Sequence, residues 1–314
     1  MADKIYLVVP CYNEEAVLQE TTKRLTEKFS HLIAEGLVSK GSRVIYVDDG
    51  SKDKTWQLIE MAHSENKLFG GIKLSRNRGH QNALLAGLLT VKNEADAVIS
   101  MDADLQDDIG AIDEMVKKYT AGADIVYGVR SKRATDTAFK RATAEGFYKV
   151  MNGLGAKVVY NHADYRLMSR RALDALEQYG EVNLFLRGIV TLIGYKTDIV
   201  YYERNERFAG ESKYPLKKML SFAWDGITSF SVKPLQIITV MGMIVCALSI
   251  IGLIYCLISW IVGSTVQGWT SMTMIVLLLG GVQLLSLGII GEYIGKIYGE
   301  VKHRPRFIIE TYLN

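Results

Sequence analysis

Three cysteines in 314 residues exclude a disulfide framework. Cys11, Cys246 and Cys256 are odd in number and two of them fall in a strongly apolar stretch, so the chain reads as reduced. A net charge of +3 is too small for a nucleic-acid partner. No G-x-G-x-x-G follows the first expected strand and no Gly-Lys-Ser/Thr closes a phosphate loop. Dinucleotide redox chemistry and P-loop chemistry thereby lose their main support. Internal repeats and low-complexity tracts are missing. No secretory leader is expected, because Met1-Ala2-Asp3-Lys4 runs directly into a strand. Charge is sparse: 23% of residues are charged against 49% hydrophobic, and the apolar excess gathers after residue 234. Such a chain is too long for one average domain and too apolar to be wholly soluble.

What is present is organised around residues 98–108, where an apolar run Val98-Ile99-Ser100-Met101 ends in Asp102, Asp104, Asp107 and Asp108. The run reads as a buried parallel strand, and the carboxylates then lie at its carboxyl end, where open α/β sheets bind ligands. Like charges this close repel unless a cation neutralises them, and hard oxygen donors favour Mg²⁺ or Mn²⁺. An ordinary acidic loop capped by Asp107 or Asp108 is the competing account.

The preceding chain repeats the pattern. Residues 4–9 form a strand closed by Pro10, and Cys11-Tyr12-Asn13-Glu14-Glu15 opens a helix that Asn13 can cap. Residues 43–47 form a second strand ending in Asp48-Asp49-Gly50-Ser51. Residues 71–74 lead to Ser75-Arg76-Asn77-Arg78-Gly79-His80-Gln81-Asn82, where Arg76 and Arg78 can face phosphate oxygens. A helix over 109–120 and a strand over 124–128 follow. Alternating strands and amphipathic helices predict an α/β, doubly wound, mostly parallel sheet with three acidic turns on one edge. Arg130, Lys132 and Arg133, then Lys140 and Arg141, suggest a second, anion-binding site beside that edge.

Pro10-x-Tyr12-Asn13-Glu14, Val47-Asp48-Asp49-Gly50-Ser51 and Asp102-Ala103-Asp104-Leu105-Gln106-Asp107 resemble the ordered motifs of family 2 glycosyltransferases with the GT-A fold. More narrowly, the chain is similar to polyprenyl-phosphate glycosyltransferases. The resemblance implies that Pro10, Tyr12, Asn13, Glu14, Asp48, Asp49 and Arg76 hold the nucleotide sugar, UDP-linked in preference to GDP-linked. It implies that Asp102 and Asp104 hold Mg²⁺ or Mn²⁺ on the diphosphate, with Gln106 and Asp107 flanking the sugar. Arg130 and Arg133 would face the phosphate of a polyprenyl phosphate acceptor. Asp164-Tyr165-Arg166-Leu167 looks like the family's D-[FY]-R-L motif, which implies Asp164 near the acceptor, as a base or orienting the acceptor or Arg166, and Arg166 at the acceptor phosphate; a buried Asp164–Arg166 salt bridge is the competing account. Arg207, Ser212 and Lys213 match an R-x-x-G-x-S-K segment that closes over phosphate.

Beyond this expected catalytic domain (residues 1–212), residues 213–233 have apolar positions at helical spacing among lysines, as in a helix lying on an anionic leaflet. Residues 235–262 and 272–291 are uncharged runs long enough to span a bilayer, and two transmembrane helices are expected at about 235–262 and 271–292, within a membrane part at 234–298. Lysines before the first run, and Lys296, Lys302, Arg304 and Arg306 around and after the end of the second, place the catalytic domain and both termini in the cytoplasm. The tail, 299–314, can add a strand or a subunit contact. The expected protein is an inverting, membrane-anchored hexosyltransferase acting on a lipid phosphate, and a homo-oligomer, with a tetramer as the form the resemblance suggests. A processive polysaccharide synthase would carry Q-x-x-R-W, which is absent. A noncatalytic membrane module would have a degraded D-x-D, whereas Asp102 and Asp104 are intact.

Overall fold

Runs of branched apolar residues between acidic or glycine-bearing turns become strands. The computed structural model describes residues 2–131, 162–182, 184–203, 228, 232–262 and 268–314. Strands β1 (Ile5–Cys11), β2 (Arg43–Asp48), β3 (Phe69–Leu74) and β4 (Ala97–Ser100) alternate with helices α1 (Leu18–Ala34), α2 (Thr55–Glu65) and α3 (His80–Val91). Every residue of β1 and β4 is buried, as expected for parallel strands covered on both faces. Helix α1 buries Leu18, Thr21, Leu25, Phe29 and Leu32, a stripe at three- and four-residue spacing. Helix α3 is apolar nearly all round because it lies pressed against the sheet. A Cβ on Gly87 would come within 2.4 Å of Val8 and 2.7 Å of Val47, so only glycine allows that approach.

The second half adds α4 (Ala111–Thr120), β5 (Ile125–Arg130), β6 (His162–Ser169), α5 (Arg170–Glu177), α6 (Leu186–Leu192) and β7 (Thr197–Tyr202). Eight strands form one sheet in the order β7-β5-β6-β4-β1-β2-β3-β8, where β8 is Ile309–Leu313. The core is parallel, with β1 between β2 and β4. The D-Y-R-L stretch is itself a strand, β6, and it runs antiparallel between β4 and β5. The sheet is therefore mixed, which the alternation of strands and helices did not foretell. Reversing β6 has a geometric consequence. Ser100 pairs with Arg166, so the same register carried to the rim sets Asp164 opposite Asp102.

Helix starts differ from expectation. Asn13 does not cap α1, which begins at Leu18 without a side-chain cap. Nor do Asp107 or Asp108 cap α4, whose N-cap position is Gly110. Asp108 instead accepts from the Gly110 N–H at 2.8 Å, within the turn before the helix.

The tail forms a strand in this sheet: β8 adds antiparallel to the outer edge of β3. The chain divides into two compact units, one holding the sheet and its helices, the other Pro215–His303 with Lys149–Lys157. The second unit has helices α7 (Lys233–Ile261) and α8 (Trp269–Val301). Within α8, Leu278–Val301 is long and apolar enough to cross a membrane. Its large side chains face outward, Leu284 at 72% exposure and Leu285 and Leu287 at 63%, as suits lipid rather than water. That run passes Glu292 and takes in Lys296, which donates to the Thr228 hydroxyl at 2.6 Å.

Candidate active site

The parallel strands deliver their carboxyl ends to one rim, and β6 delivers its amino end there. Two turns build the β1–β2 side. Asn13 adopts a left-handed φ of 55°, its N–H donates to Ser51 Oγ at 3.0 Å, and its Oδ1 accepts from Lys52 N–H at 2.9 Å. Glu14 N–H donates to Thr55 Oγ1 at 2.9 Å. Tyr12 stands 42% exposed beside these turns, while Pro10 is buried within β1. Asp48 is fully buried, accepts from Ser51 N–H through Oδ1, and leaves Oδ2 buried without a partner. Asp49 accepts from the N–H groups of Arg78 and Gly79 at 2.6 and 2.9 Å, so it fixes the loop after β3. Burial pushes both carboxyls above the usual range. That loop also crosses Gly50, where φ is +69° and a Cβ would meet Asn77 N at 2.6 Å. Arg76 is exposed on the loop.

The D-x-D turn after β4 is held from three sides. Ala103 C=O accepts from Thr21 Oγ1 at 3.0 Å, Asp108 C=O accepts from Tyr165 Oη at 2.9 Å, and Met101 N–H donates to Val8 C=O at 3.1 Å. Leu105 takes a left-handed φ of 56°, a backbone cost that this anchoring sustains. Asp104 Oδ1 accepts from Gln106 N–H at 3.2 Å. Burial raises the Asp102 carboxyl to about 6; His80 pulls it down, while Asp107, Asp164 and Asp104 push it up.

Asp164 has the opposite character. It is 7% exposed. Arg166 Nη2 donates to its Oδ1 at 2.6 Å, and Arg187 donates through Nε at 3.3 Å and Nη2 at 3.1 Å. His80 Nε2 bridges Asp164 at 3.7 Å and Asp102 at 3.4 Å. Burial alone would raise the Asp164 carboxyl, but His80 and the two guanidinium groups overcome it and hold it well below the usual carboxylate range. Burial lowers His80, and its two carboxylate neighbours more than restore it. Arg166 is 2% exposed and keeps Nη1 buried without a partner.

On the far side, β5 ends at Arg130 and β7 at Tyr202, paired in register. Tyr202 Oη donates to Asp107 Oδ1 at 2.5 Å and accepts from Arg130 Nε at 3.2 Å. Arg130 Nη2 lies 3.5 Å from the same Asp107 oxygen, and Asp107 Oδ2 is buried without a partner. Of the residues expected from sequence, one rim collects Asp102, Asp104, Gln106, Asp107, Asp164, Arg166 and Arg130, with the Tyr12–Glu14 and Asp48–Asp49 turns beside it. Arg133, Arg207, Ser212 and Lys213, and the helix expected at 213–233 apart from residues 228, 232 and 233, lie outside the described residues. The sequence reading missed His80, Arg187 and Tyr202. The Ser75–Asn82 stretch that follows β3 was the available signal for His80, and the strand pattern ending at Tyr202 for that residue.

Among the described residues no three or more His, Cys, Asp or Glu side chains are grouped to hold a metal. A hard cation would therefore draw on Asp102 and Asp104 and complete its shell with substrate phosphate oxygens, the usual arrangement for Mg²⁺. The donor set fits such an ion: the atoms are carboxylate oxygens, and Asp102 is disfavoured as an anion by burial first and then by the carboxylates beside it.

The Glycosyl transferase family 2 model matches residues 6–177, and a model described as the GtrB C-terminal hairpin matches residues 233–297. A Bacillus subtilis protein named as the uncharacterized glycosyltransferase YkoT is 56% identical over 304 residues, 97% of this chain and 90% of that one. The bactoprenol glucosyl transferase of Shigella phage SfX is 42% identical over 310 residues, 98% of this chain and 99% of that one. Among solved structures, glucosyl-3-phosphoglycerate synthase from Mycobacterium tuberculosis, with Mn²⁺, UDP-glucose and phosphoglyceric acid, matches 72% of this chain and 78% of its own at 17% identity, with a TM-score of 0.46. The chain belongs to glycosyl transferase family 2. It is a glycosyltransferase with a mixed, mostly parallel catalytic sheet, and its apolar C-terminal helix and matched hairpin associate it with a membrane.

Proposed function

We propose that this glycosyltransferase moves a hexose, glucose or an N-acetylhexosamine, from a nucleotide sugar to a polyprenyl phosphate of the undecaprenyl type, at the cytoplasmic face of the membrane and with inversion. The observation that carries the reading is the pairing of opposites at one rim. Asp102 and Asp104 stand on one strand end, and a carboxylate gripped by Arg166, Arg187 and His80 stands on the antiparallel strand beside it. The carboxylate pair suits a divalent ion and a diphosphate, and the cationic group suits a second phosphate. The SfX relative, matched along nearly the full length of both chains, is named for glucosyl transfer and bactoprenol, which favours glucose and a lipid acceptor.

Asp102 and Asp104 would hold Mg²⁺ or Mn²⁺, and the ion would supply charge neutralisation for the leaving diphosphate. The Tyr12–Glu14 turn, Asp48, and the Arg76–Gly79 loop fixed by Asp49 form the nucleotide side, where a UDP base is favoured. The sugar would lie near Gln106 and Asp107, the latter oriented by Tyr202 and Arg130. A phosphate monoester is ionised near neutral pH, so the acceptor needs orientation more than deprotonation. Asp164 matches that need: held well below the usual range, it is a poor proton acceptor.

The chain leaves the sheet after β7 and returns to it as β8, so any membrane crossing between them is even in number. Two spans with both termini cytoplasmic satisfy this, and agree with the lysines and arginines flanking the apolar runs. Gly280, Gly281, Gly288 and Gly291 have no neighbour within 4 Å of a Cβ position and allow close helix approach, which supports a homo-oligomer; a tetramer is the form the resemblance suggests. Tagged and untagged chains co-expressed in one membrane are expected to co-purify; recovery of the tagged chain alone would contradict self-association.

The test of the reaction is transfer of radiolabel from a panel of UDP- and GDP-sugars into an organic-extractable lipid, with undecaprenyl phosphate supplied. Label is expected in the lipid from one donor, with Mg²⁺ or Mn²⁺ and not with EDTA. Hydrolysis alone, or no lipid label from any donor with folded protein, would overturn the proposal.

A further inference from the structure

Arg187 belongs to no motif read from the sequence, yet its placement is built rather than incidental. The first turn of α6 is pinned by Gln81, whose Oε1 accepts from Leu186 N–H at 2.8 Å across 105 residues of chain. The next residue meets Asp164 side-on, Nε toward Oδ1 at 3.3 Å and Nη2 toward Oδ2 at 3.1 Å. Arg166 holds the same carboxylate at 2.6 Å. The two guanidinium groups differ in access: the Arg166 side chain is 2% exposed and the Arg187 side chain 34%. Arg166 is thus sealed behind the carboxylate, and Arg187 opens to the rim.

A guanidinium carries five N–H donors in a plane. Side-on pairing engages Nε–H and one hydrogen of Nη2. The end-on edge, Nη1 with the second hydrogen of Nη2, makes no hydrogen bond to the protein among the described residues. That edge is a second fork matched to two oxygens of a phosphate. Two guanidinium groups against the Asp164 carboxylate leave one positive charge to spare within that trio. Arg130 presents a different picture, because its Nε and Nη2 are directed at Tyr202 and Asp107.

We propose that Arg187 binds the acceptor's phosphate monoester through its end-on fork, with Asp164 fixing the plane of the guanidinium, Arg166 backing Asp164, and Gln81 placing α6. The assignment deepens the acceptor reading above and rests on it. It makes Asp164 and Gln81 positioning residues and Arg187 the residue that touches substrate.

The probe is geranyl monophosphate titrated into the full chain in detergent by calorimetry, with no sugar donor. Wild type is expected to bind. Arg187→Gln is expected to weaken binding about 10- to 100-fold, the scale of a lost bidentate charged contact. Arg187→Lys keeps charge but loses the fork and is expected to fall between them, as is Gln81→Ala, which keeps the Arg187 side chain but removes the bond that places its helix. In transfer assays the acceptor KM should rise in the same order while donor KM stays within about twofold. Should Arg187→Gln not fold, the lysine and Gln81 variants carry the comparison. Equal geranyl phosphate affinity across the folded variants, or no binding by wild type, overturns the assignment. Wild type that binds the probe, loses it in the Arg187 variants, and yet transfers no sugar to lipid sinks the functional reading while upholding the site.

Discussion

Asp104→Ala is expected to lower sugar transfer by at least about 10³-fold, some 4 kcal/mol of transition-state stabilisation, without lowering thermal stability. The two halves of this result have one cause. The rim concentrates Asp102, Asp104, Asp107 and Asp164, and the first of these is pushed up to about 6 by burial and by the other three. Such crowding does not help the fold. The turn is held chiefly by contacts outside the Asp104 carboxylate, from Thr21 to Ala103 and from Tyr165 to Asp108, to which Asp104 adds a 3.2 Å bond from Gln106 N–H. Removing one charge therefore relieves repulsion while leaving the turn anchored. The check is transfer rate together with the melting temperature, with and without Mg²⁺ or Mn²⁺. Wild type should gain stability from the ion, because ligands that bind the native state stabilise it by mass action. The variant should gain little. A variant that transfers sugar at the wild-type rate would remove Asp104 from the site. One that loses rate but melts far below wild type would give it a structural role instead.

The parallel half of the sheet was legible because strands buried on both faces must be apolar along their length, and the sequence interrupts them with acidic turns at 48–49 and 102–108. Their placement on one rim then follows from the parallel pairing of β1 with β2 and β4. The antiparallel strand β6 was not legible by that logic. Its residues His162–Ser169 carry Asp164 and Arg166 in the interior, which no pattern of apolar periodicity reveals, since each is acceptable there only because of the other. Helix starts failed for a related reason. Asn13 and Asp108 are spent on turn geometry, so the residues that look like caps sit before the helices rather than at them. His80, Arg187 and Tyr202 answer to partners far away in sequence, and a lone residue of each type has no local signature. The tail's strand was legible only as one of two options, a strand or a subunit contact, because an edge strand with one neighbour needs little alternation; the structure makes it β8 on the edge of β3.

Asp164→Asn is expected to cost stability and rate together yet leave the shape of the pH–rate profile unchanged, and this separates an orienting carboxylate from a base. In the wild-type protein Asp164 is nearly buried and held by Arg166, Arg187 and His80. Replacing its charge by an amide leaves Arg166, at 2% exposure, without an ionic partner; breaking a buried pair in this way costs about 3–5 kcal/mol, or roughly 10 °C in melting temperature. Because the folded carboxyl lies well below its unfolded value, its contribution to stability is present above about pH 4 and disappears as pH falls through the lowered folded value. The gap between wild type and variant should accordingly close in acid. The rate should fall about 10²-fold through loss of the guanidinium's fixed plane. A limb near about pH 6 should persist in both, because it belongs to the second ionisation of a phosphate monoester acceptor. A base at Asp164 would behave otherwise: the Asn variant would lose its pH dependence at the carboxyl's own titration, and added formate would restore activity. The orienting role predicts no formate rescue, and it predicts partial recovery when the acceptor concentration is raised, since what the variant loses is the hold on Arg187 rather than a proton acceptor.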